Sequence, residues 1–231
     1  MVDSKYYPDN RTNTIESIIE LISKCTSCTL SLNRTNTVPG EGSINSKIVF
    51  IGEAPGAQED KSGRPFVGAA GKVLDKLLNL INLSRKDIYI TNMVKCRPPN
   101  NRDPLDKEIL SCKKFLDSQL EFIKPKLIVP LGRHSFNKFF PNENLSKNRG
   151  QIKKWGNYLL YPVYHPAAAL HNPNLKTTME DDFIKIKKLI YESNNNQKLI
   201  TEQKQLKLLW HTKMKKNPIK IIPLGGLGEI G

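Results

Sequence analysis

The four cysteines of the chain are the residues whose spacing points most directly to chemistry. Cys25 and Cys28 form a C-x2-C pair, whereas Cys96 and Cys112 lie far downstream with fifteen residues between them. Four thiolates in this layout can bind zinc or a [4Fe–4S] cluster. Zinc fingers usually show two tight pairs, and only one is present here. The spacing alone leaves three interpretations open: a metal or cluster site, free buried thiols, and redox chemistry.

Polar residues bounded by Gly or Pro follow several short hydrophobic runs. Glu53 follows the first run, Asn92 ends the second, Arg133-His134 follows the third and His165 the fourth. A glutamate in a Gly/Pro turn is often only a solvated loop residue, and a histidine before proline is often only a turn residue. If the runs are parallel strands, however, their carboxyl ends share one sheet edge, where ligands collect. Their convergence there is what favours a site.

Hydrophobic periodicity predicts that strands and helices alternate. The strands are expected at 46–52, 87–92, 126–132 and 158–164, and the longer helices at 14–24, 69–81, 103–122 and 178–192. For the third helix, Asp103 is predicted as N-cap and Pro104 as the first helical residue. Helices of ten or more residues between strands require crossover connections, which predicts a parallel sheet with helices on both faces.

Composition favours a polyanionic partner. The 231 residues include 36 Lys+Arg against 22 Asp+Glu, a formal net charge of +14. Such an excess suits nucleic acid, because each cation placed on a phosphate releases a counterion; a merely Lys-rich surface is the alternative. The sequence has no apolar run of about 18 residues and no apolar N-terminal region, which predicts neither a membrane span nor a secretory signal. We expect a basic, cytoplasmic protein of one to two domains.

Three segments resemble the motifs of the family 4 uracil-DNA glycosylases, the iron–sulfur enzymes of many bacteria and archaea. They comprise 52–68 (with GEAPG, ED and GRPFVG), 91–102 (TNMVKCRPPNNR) and 164–170 (YHPAAAL). The resemblance covers about residues 19–190 and implies a three-layer α/β/α fold with a central four-stranded, mainly parallel sheet. It also implies an enzyme of DNA repair, which flips deoxyuridine out of DNA and hydrolyses its N-glycosidic bond to release uracil and leave an abasic site.

The resemblance assigns the uracil-binding residues. Phe66 stacks on the ring, and Asn92 reads its edge through one carboxamide that both donates and accepts. Glu59 lies near C5 and excludes the methyl group of thymine. Gly52 and Ala54 complete the uracil-binding set.

The resemblance also assigns the reacting groups. His165 donates a hydrogen bond to uracil O2, where negative charge develops. In family 1 enzymes an aspartate stands at the position of Ala54, which leaves Glu53 and Asn100 as candidates for positioning the water. Leu170 resembles the apolar wedge that fills the gap left by the flipped base, with a helix-packing leucine as the alternative.

The four cysteines lie where the family places its [4Fe–4S] ligands, which implies a structural cluster bound by Cys25, Cys28, Cys96 and Cys112. Two places depart from the family: His171 stands where an arginine is usual, and Arg133-His134-Ser135 replaces small residues. The expected partner is uracil-containing DNA, single- or double-stranded, and the expected state is a monomer. The alternatives are a non-catalytic iron–sulfur DNA-binding or replication accessory protein, and a glycosylase with altered base preference, for hypoxanthine or xanthine.

The glycosylase domain is expected to span residues 1–193, and residues 194–231 are expected to form a basic linker or tail. Residues 217–231 resemble the opening strand and loop of ribonuclease J-type metallo-β-lactamase nucleases, without the His/Asp metal-ligand motif of those enzymes. We therefore expect a fusion remnant or start with no nuclease activity of its own. An unrelated flexible basic tail is the alternative.

Overall fold

The computed structural model describes residues 14–190, and its centre is a six-stranded sheet. In chain order the elements are α1 (Ile15–Ser23), β1 (Glu41–Gly42), β2 (Ile48–Gly52), α2 (Ala57–Ser62), α3 (Ala69–Leu80), β3 (Tyr89–Asn92), α4 (Asp106–Ile123), β4 (Leu127–Pro130), α5 (Arg133–Asn137), α6 (Leu145–Asn148), β5 (Lys153–Trp155), β6 (Tyr158–Leu160), α7 (Ala168–His171) and α8 (175–190). Short 3-10 turns lie at Thr29–Leu32 and Pro99–Asn101.

The strand order is β1-β3-β2-β4-β6-β5. The four central strands are parallel, as expected from the sequence, and β1 and β5 add short antiparallel edges. The predicted four-stranded sheet therefore describes the centre of a six-stranded mixed sheet. Sequence reasoning missed the edge strands because two or three residues are too few to show a period of two.

Helices cover both faces of this sheet. On one face, Val49 and Ile51 of β2 belong to a hydrophobic core with residues of α1 and α4. On the other face, the ring of Phe50 stacks on Phe183 of α8 at 5.8 Å between centroids. All residues of β2 and β4 are buried, as strands covered on both faces require. The predicted α/β/α layering is confirmed.

Several element boundaries differ from the sequence prediction, and two of these differences have a clear physical reason. Helix α4 begins at Asp106 with Leu105 as N-cap, so the assignment of Asp103 as N-cap and Pro104 as first residue is wrong. The reason is Glu108, whose carboxylate accepts the backbone N–H of Leu105 at 2.8 Å and fixes the start there. Strand β6 ends at Leu160, two residues before Pro162, which has no backbone N–H for a ladder.

Among the residues that the structure describes, no helix is both long and apolar enough to cross a membrane. The predicted boundary between residues 193 and 194 and the nuclease-like segment 217–231 lie outside the described residues and stay predictions.

Candidate active site and four-cysteine site

The ends of β2 and β3 bring three of the predicted uracil-binding residues together. Gly52 and Asn92 are register partners at the carboxyl ends of these parallel strands. A Cβ at Gly52 would lie 2.3 Å from Asn92 Oδ1 and 2.6 Å from Phe66 Cζ, so the position requires glycine. We name this group, together with a histidine described below, the base pocket: Gly52, Phe66, Asn92 and His165.

Asn92 brings an unpaired acceptor into the base pocket. Its side chain is 2% exposed, and Oδ1 is buried without a hydrogen-bond partner among the residues that the structure describes. The backbone behind it is fixed, because the ammonium of Lys95 donates to the Asn92 carbonyl at 2.8 Å. A buried acceptor without a partner costs free energy, and that cost is recovered when a ligand supplies an N–H.

Phe66 is held in an unusual backbone conformation. Its φ is +53°, in the left-handed region that a residue with a side chain occupies at a cost of about 1–3 kcal/mol. The guanidinium of Arg85 holds this turn by donating to the carbonyl of Pro65 at 2.9 Å and to that of Phe66. The Phe66 ring is thereby placed 5.6 Å from the His165 ring, tilted by 34°.

Glu59 holds the same turn from the other side. Its carboxylate accepts the backbone N–H groups of Val67 and Gly68, both at 2.8 Å, and that of Gly56 at 3.2 Å. Both oxygens are therefore engaged with the backbone, which makes Glu59 a positioning residue for the Phe66 turn. Its predicted contact with C5 of uracil stays a prediction.

His165 is arranged as a neutral donor. Its Nδ1 accepts the backbone N–H of Ala167 at 3.2 Å, so the proton of the neutral ring lies on Nε2. Burial lowers the pKa of His165 to about 4; nearby Glu59 opposes this shift and His134 adds to it. Gly132 allows the close approach of the loop, because a Cβ there would lie 2.9 Å from that of His165.

Glu53 lies just after β2, next to a histidine from the neighbouring strand's loop. His134 Nε2 lies 3.9 Å from Glu53 Oε2 and 3.0 Å from Asp103 Oδ2. Burial raises the pKa of Glu53; the neighbouring His134 opposes this shift, Asp103 adds to it and Arg133 opposes it. The four chain segments selected as strand ends thus do meet at one edge of the sheet.

Three further predicted residues lie in different surroundings. Ala54 packs against the hydrophobic core. Leu170 is 49% exposed on the short helix α7, as an apolar wedge would be. Asn100 is exposed on the turn Pro99–Asn101 with a φ of +53°, and within residues 14–190 no hydrogen bond joins it to Glu53 or His134.

The four cysteines line one pocket between α1, the loop after β3 and α4, and all four are free thiols. Two of the sulfurs receive N–H donors: Arg34 donates to Cys96 Sγ at 3.1 Å, and the backbone of Lys95 donates to Cys112 Sγ at 3.3 Å. Burial raises the pKa of Cys96, and raises that of Cys112 to about 11.

This group, the four-cysteine site, fits a thiolate-bound metal or cluster. Four convergent sulfurs are the donor set that soft metals and iron–sulfur clusters require, and N–H groups aimed at sulfur are typical of such sites. The raised thiol pKa values mean that a bound cation must displace the protons, so binding would be coupled to proton release.

Sequence reasoning missed the residues that position others. Arg85 holds the Phe66 turn, Lys95 holds the Asn92 carbonyl, and Asp103 contacts His134. Lys95 lies inside the second motif, and His134, the partner of Asp103, departs from the family pattern, so both positions offer a signal in the sequence. For Arg85 and Asp103 the local pattern offered none, because their partners are distant in sequence.

Comparison with known proteins agrees with this geometry. Residues 39–187 match the family model of the uracil DNA glycosylase superfamily. The chain therefore belongs to the uracil DNA glycosylase superfamily.

Several relatives are similar over most of the chain. A type-4 uracil-DNA glycosylase of Saccharolobus solfataricus is 47% identical over 188 residues, which cover 77% of this chain and 87% of the relative. One from Thermotoga maritima is 44% identical over 185 residues, covering 78% and 96%. A type-5 uracil-DNA glycosylase of Pyrobaculum aerophilum is 31% identical over 148 residues, covering 56% and 65%. The resemblance to the family 4 enzymes is thus confirmed.

Proposed function

We propose that the protein is a DNA-repair uracil-DNA glycosylase, a monofunctional hydrolase that releases uracil from DNA. The observation that supports this most directly is the unpaired, buried Oδ1 of Asn92 beside the ring of Phe66. The Asn92 carboxamide offers one donor and one acceptor side by side. Such a group beside an aromatic face suits a nucleobase better than a sugar or a phosphate. The names of the relatives, all uracil-DNA glycosylases among those described above, support the same base.

Recognition follows from the base pocket. A base inside a duplex cannot reach buried groups, so the nucleotide has to be flipped out of the stack. In the pocket, Asn92 Oδ1 accepts uracil N3–H and Nδ2 donates to O4. Phe66 stacks on the ring, and the absence of a Cβ at Gly52 keeps the space between these side chains open.

Bond cleavage needs groups that respond to two developing charges. As the C1′–N1 bond breaks, its electron pair goes to uracil and a positive charge develops on the sugar. His165 donates its Nε2 proton in a hydrogen bond to O2, where the negative charge accumulates; as a neutral ring it does so without being consumed as an acid. Uracil leaves as an anion with the electron pair, water adds to C1′ and releases a proton to solvent, and an equivalent proton from solvent neutralises the released uracil.

Glu53 is the group we assign to the sugar side. An ionised carboxylate stabilises the cationic sugar and orients the attacking water by accepting its hydrogen bond. The burial that raises the Glu53 pKa makes its carboxylate less well hydrated and so more effective towards a nearby cation. Asn100, the second candidate, is exposed on its turn, which favours Glu53.

Two features of the protein suit DNA binding, its positive net charge and an exposed leucine. The formal net charge of +14 favours phosphate contacts, and the exposed Leu170 on α7 suits insertion into the gap left by the base. The four-cysteine site would hold a [4Fe–4S] cluster, which would cross-link α1, the loop after β3 and α4. That role is structural, because the base pocket contains none of the cysteines.

The test is an alkali-cleavage assay on a uracil-containing oligonucleotide, with Asn92→Ala beside the matched control Asn79→Ala, an exposed residue of α3. We expect the wild type and the control to release uracil, and Asn92→Ala to lose about 10- to 100-fold in kcat/KM because O4 and N3–H lose their partners. Release of hypoxanthine or xanthine but not of uracil would establish the altered base preference. Tight DNA binding without release of any base would establish the accessory protein.

A further inference from the structure

His134 lies where three chain segments meet beside the candidate active site. It belongs to α5, which follows β4, while Glu53 follows β2 and Asp103 precedes α4. Its Nε2 is 3.0 Å from Asp103 Oδ2 and 3.9 Å from Glu53 Oε2. The guanidinium of Arg133 lies 3.1 Å from the same ring nitrogen.

One ring nitrogen cannot satisfy both of its close neighbours at the same time. When Nε2 has a proton it donates to the carboxylate of Asp103, and when it has none it accepts from the guanidinium of Arg133. The geometry therefore offers two hydrogen-bonding states of one side chain. The imidazolium cation belongs to the state with a proton on Nε2, because both ring nitrogens are protonated in the charged form, so in that form a positive charge lies beside the Glu53 carboxylate.

We propose that His134 is a positioning residue for Glu53, whose cationic form, held by Asp103, keeps the Glu53 carboxylate ionised for catalysis in mildly acidic solution. The proposal rests on the proposed function, since it concerns the group assigned to the sugar cation. It gives a role to the one change after β4 for which the family resemblance offered no consequence.

The groups around Glu53 determine in which direction its pKa changes when the charge of His134 is removed. Burial raises its pKa and Asp103 adds to this, whereas His134 and Arg133 lower it. His165 also faces His134, but burial lowers the pKa of His165 to about 4, so its ring is neutral and contributes no charge in mildly acidic solution. Without the His134 cation, only Arg133 is left to oppose protonation. Glu53 then takes up a proton at a higher pH and activity is lost earlier on acidification.

The experiment is a pH profile of kcat for two substitutions with opposite expected signs. His134→Gln can still donate to Asp103 but has no charge, so we expect the acid limb to move up by about one pH unit. Well below the midpoint of the limb this is a loss of up to about 10-fold in rate, with no change on the plateau near pH 8.5. His134→Arg is cationic at all these pH values and should leave the limb at or below its wild-type position.

The control is Lys154→Gln, which removes one positive charge at the opposite edge of the sheet. Lys154 pairs with Leu159, whose partner Leu127 begins β4, whereas His134 follows the end of that strand. The limb should not move in this variant. Equal rate losses for His134→Gln at every pH, or equal shifts in the His134 and Lys154 variants, would overturn the proposal.

A second readout separates this inference from the proposed function. The carboxyl carbon of Glu53 can be titrated by NMR in protein without DNA, with Glu53→Gln identifying the signal. We expect its pKa to be higher in His134→Gln than in the wild type. If the wild type releases no uracil, the proposed function fails and this titration still decides whether His134 controls Glu53; an unchanged pKa would refute the inference even in an active enzyme.

Discussion

In the base pocket, the buried Oδ1 of Asn92 has no hydrogen-bond partner within residues 14–190, whereas at the four-cysteine site the buried sulfurs of Cys96 and Cys112 each receive an N–H. The two regions are neighbours in the chain, because Lys95 lies between Asn92 of the base pocket and Cys96 of the four-cysteine site. Its side chain donates to the Asn92 carbonyl and its backbone to Cys112.

This difference shows how one loop serves two purposes. A site built to bind a transient ligand leaves a polar group unsatisfied and accepts the cost, while a site built to hold a resident group surrounds its ligands with donors. Substitutions in the four-cysteine site should therefore affect the whole fold, and substitutions in the base pocket should affect a reaction step with little effect on the fold.

The largest effect is expected from Cys112→Ala. Protein purified without oxygen should hold about four irons per chain, and this variant should lose iron and cooperative unfolding together, because cluster binding is coupled to folding. Metal analysis with thermal unfolding measures both. Ser111→Ala, in the same pocket, is the matched control and should keep its iron. Stoichiometric zinc without sulfide would contradict the cluster assignment.

His165→Ala should lower kcat by about 10²–10³, because the N–H donor aimed at the developing charge on O2 is lost. Binding to uracil-containing DNA should change far less, since this hydrogen bond strengthens only as the bond breaks. Single-turnover rates and equilibrium binding on the same oligonucleotide separate the two. A rate near that of the wild type would remove His165 from the assignment, and an equal loss of binding would make it a recognition residue.

The same histidine should make the fold sensitive to acid. Its pKa is near 6.5 in an unfolded chain and about 4 in the fold, so the unfolded state binds more protons between these values. Stability is therefore lost as the pH falls from 6.5 towards 4, by up to about 3 kcal/mol. Urea unfolding across this range should show a smaller loss for His165→Gln; parallel curves for both proteins would show that burial does not shift this group.

Arg85→Gln should weaken the base pocket from a distance. It removes the donors that hold the Phe66 turn, so we expect a loss of about 1–3 kcal/mol in stability and a higher KM. Arg64→Gln is the matched control. Both arginines form an ion pair with Glu41, but the side chain of Arg64 is 61% exposed against 18% for Arg85. Equal effects of the two substitutions on denaturant midpoint and KM would show that the turn does not depend on Arg85.

The sequence predicted what is local or repeated. The four parallel strands follow from periodicity, and the meeting of Glu53, Asn92 and His165 follows from the rule for strand ends. It did not predict Leu105, rather than Asp103, as the N-cap of α4. The N-cap depends on the Glu108 side chain, which accepts the backbone N–H of Leu105. Nor did it predict the Arg85 contacts, since Arg85 and Phe66 are 19 residues apart, on either side of α3.

The placing of Asn100 shows a further limit. Its motif position suggested a role beside Glu53, but the turn Pro99–Asn101 leaves it exposed in the left-handed conformation. Motif membership therefore does not fix which face of a turn a side chain occupies. The spacing of the cysteines alone leaves a metal or cluster site, free thiols and redox chemistry open. The position of all four around one pocket favours the metal or cluster site.

The ends of the sheet bear on how the protein behaves at high concentration. An open sheet exposes unpaired backbone groups along its outer strands, and these groups can recruit another chain. Here β1 spans only Glu41–Gly42, and β5 is the three-residue segment Lys153–Trp155 with two lysines. Strands this short and charged give a second molecule few backbone groups to pair with, so the described sheet resists growth into aggregates along its outer strands.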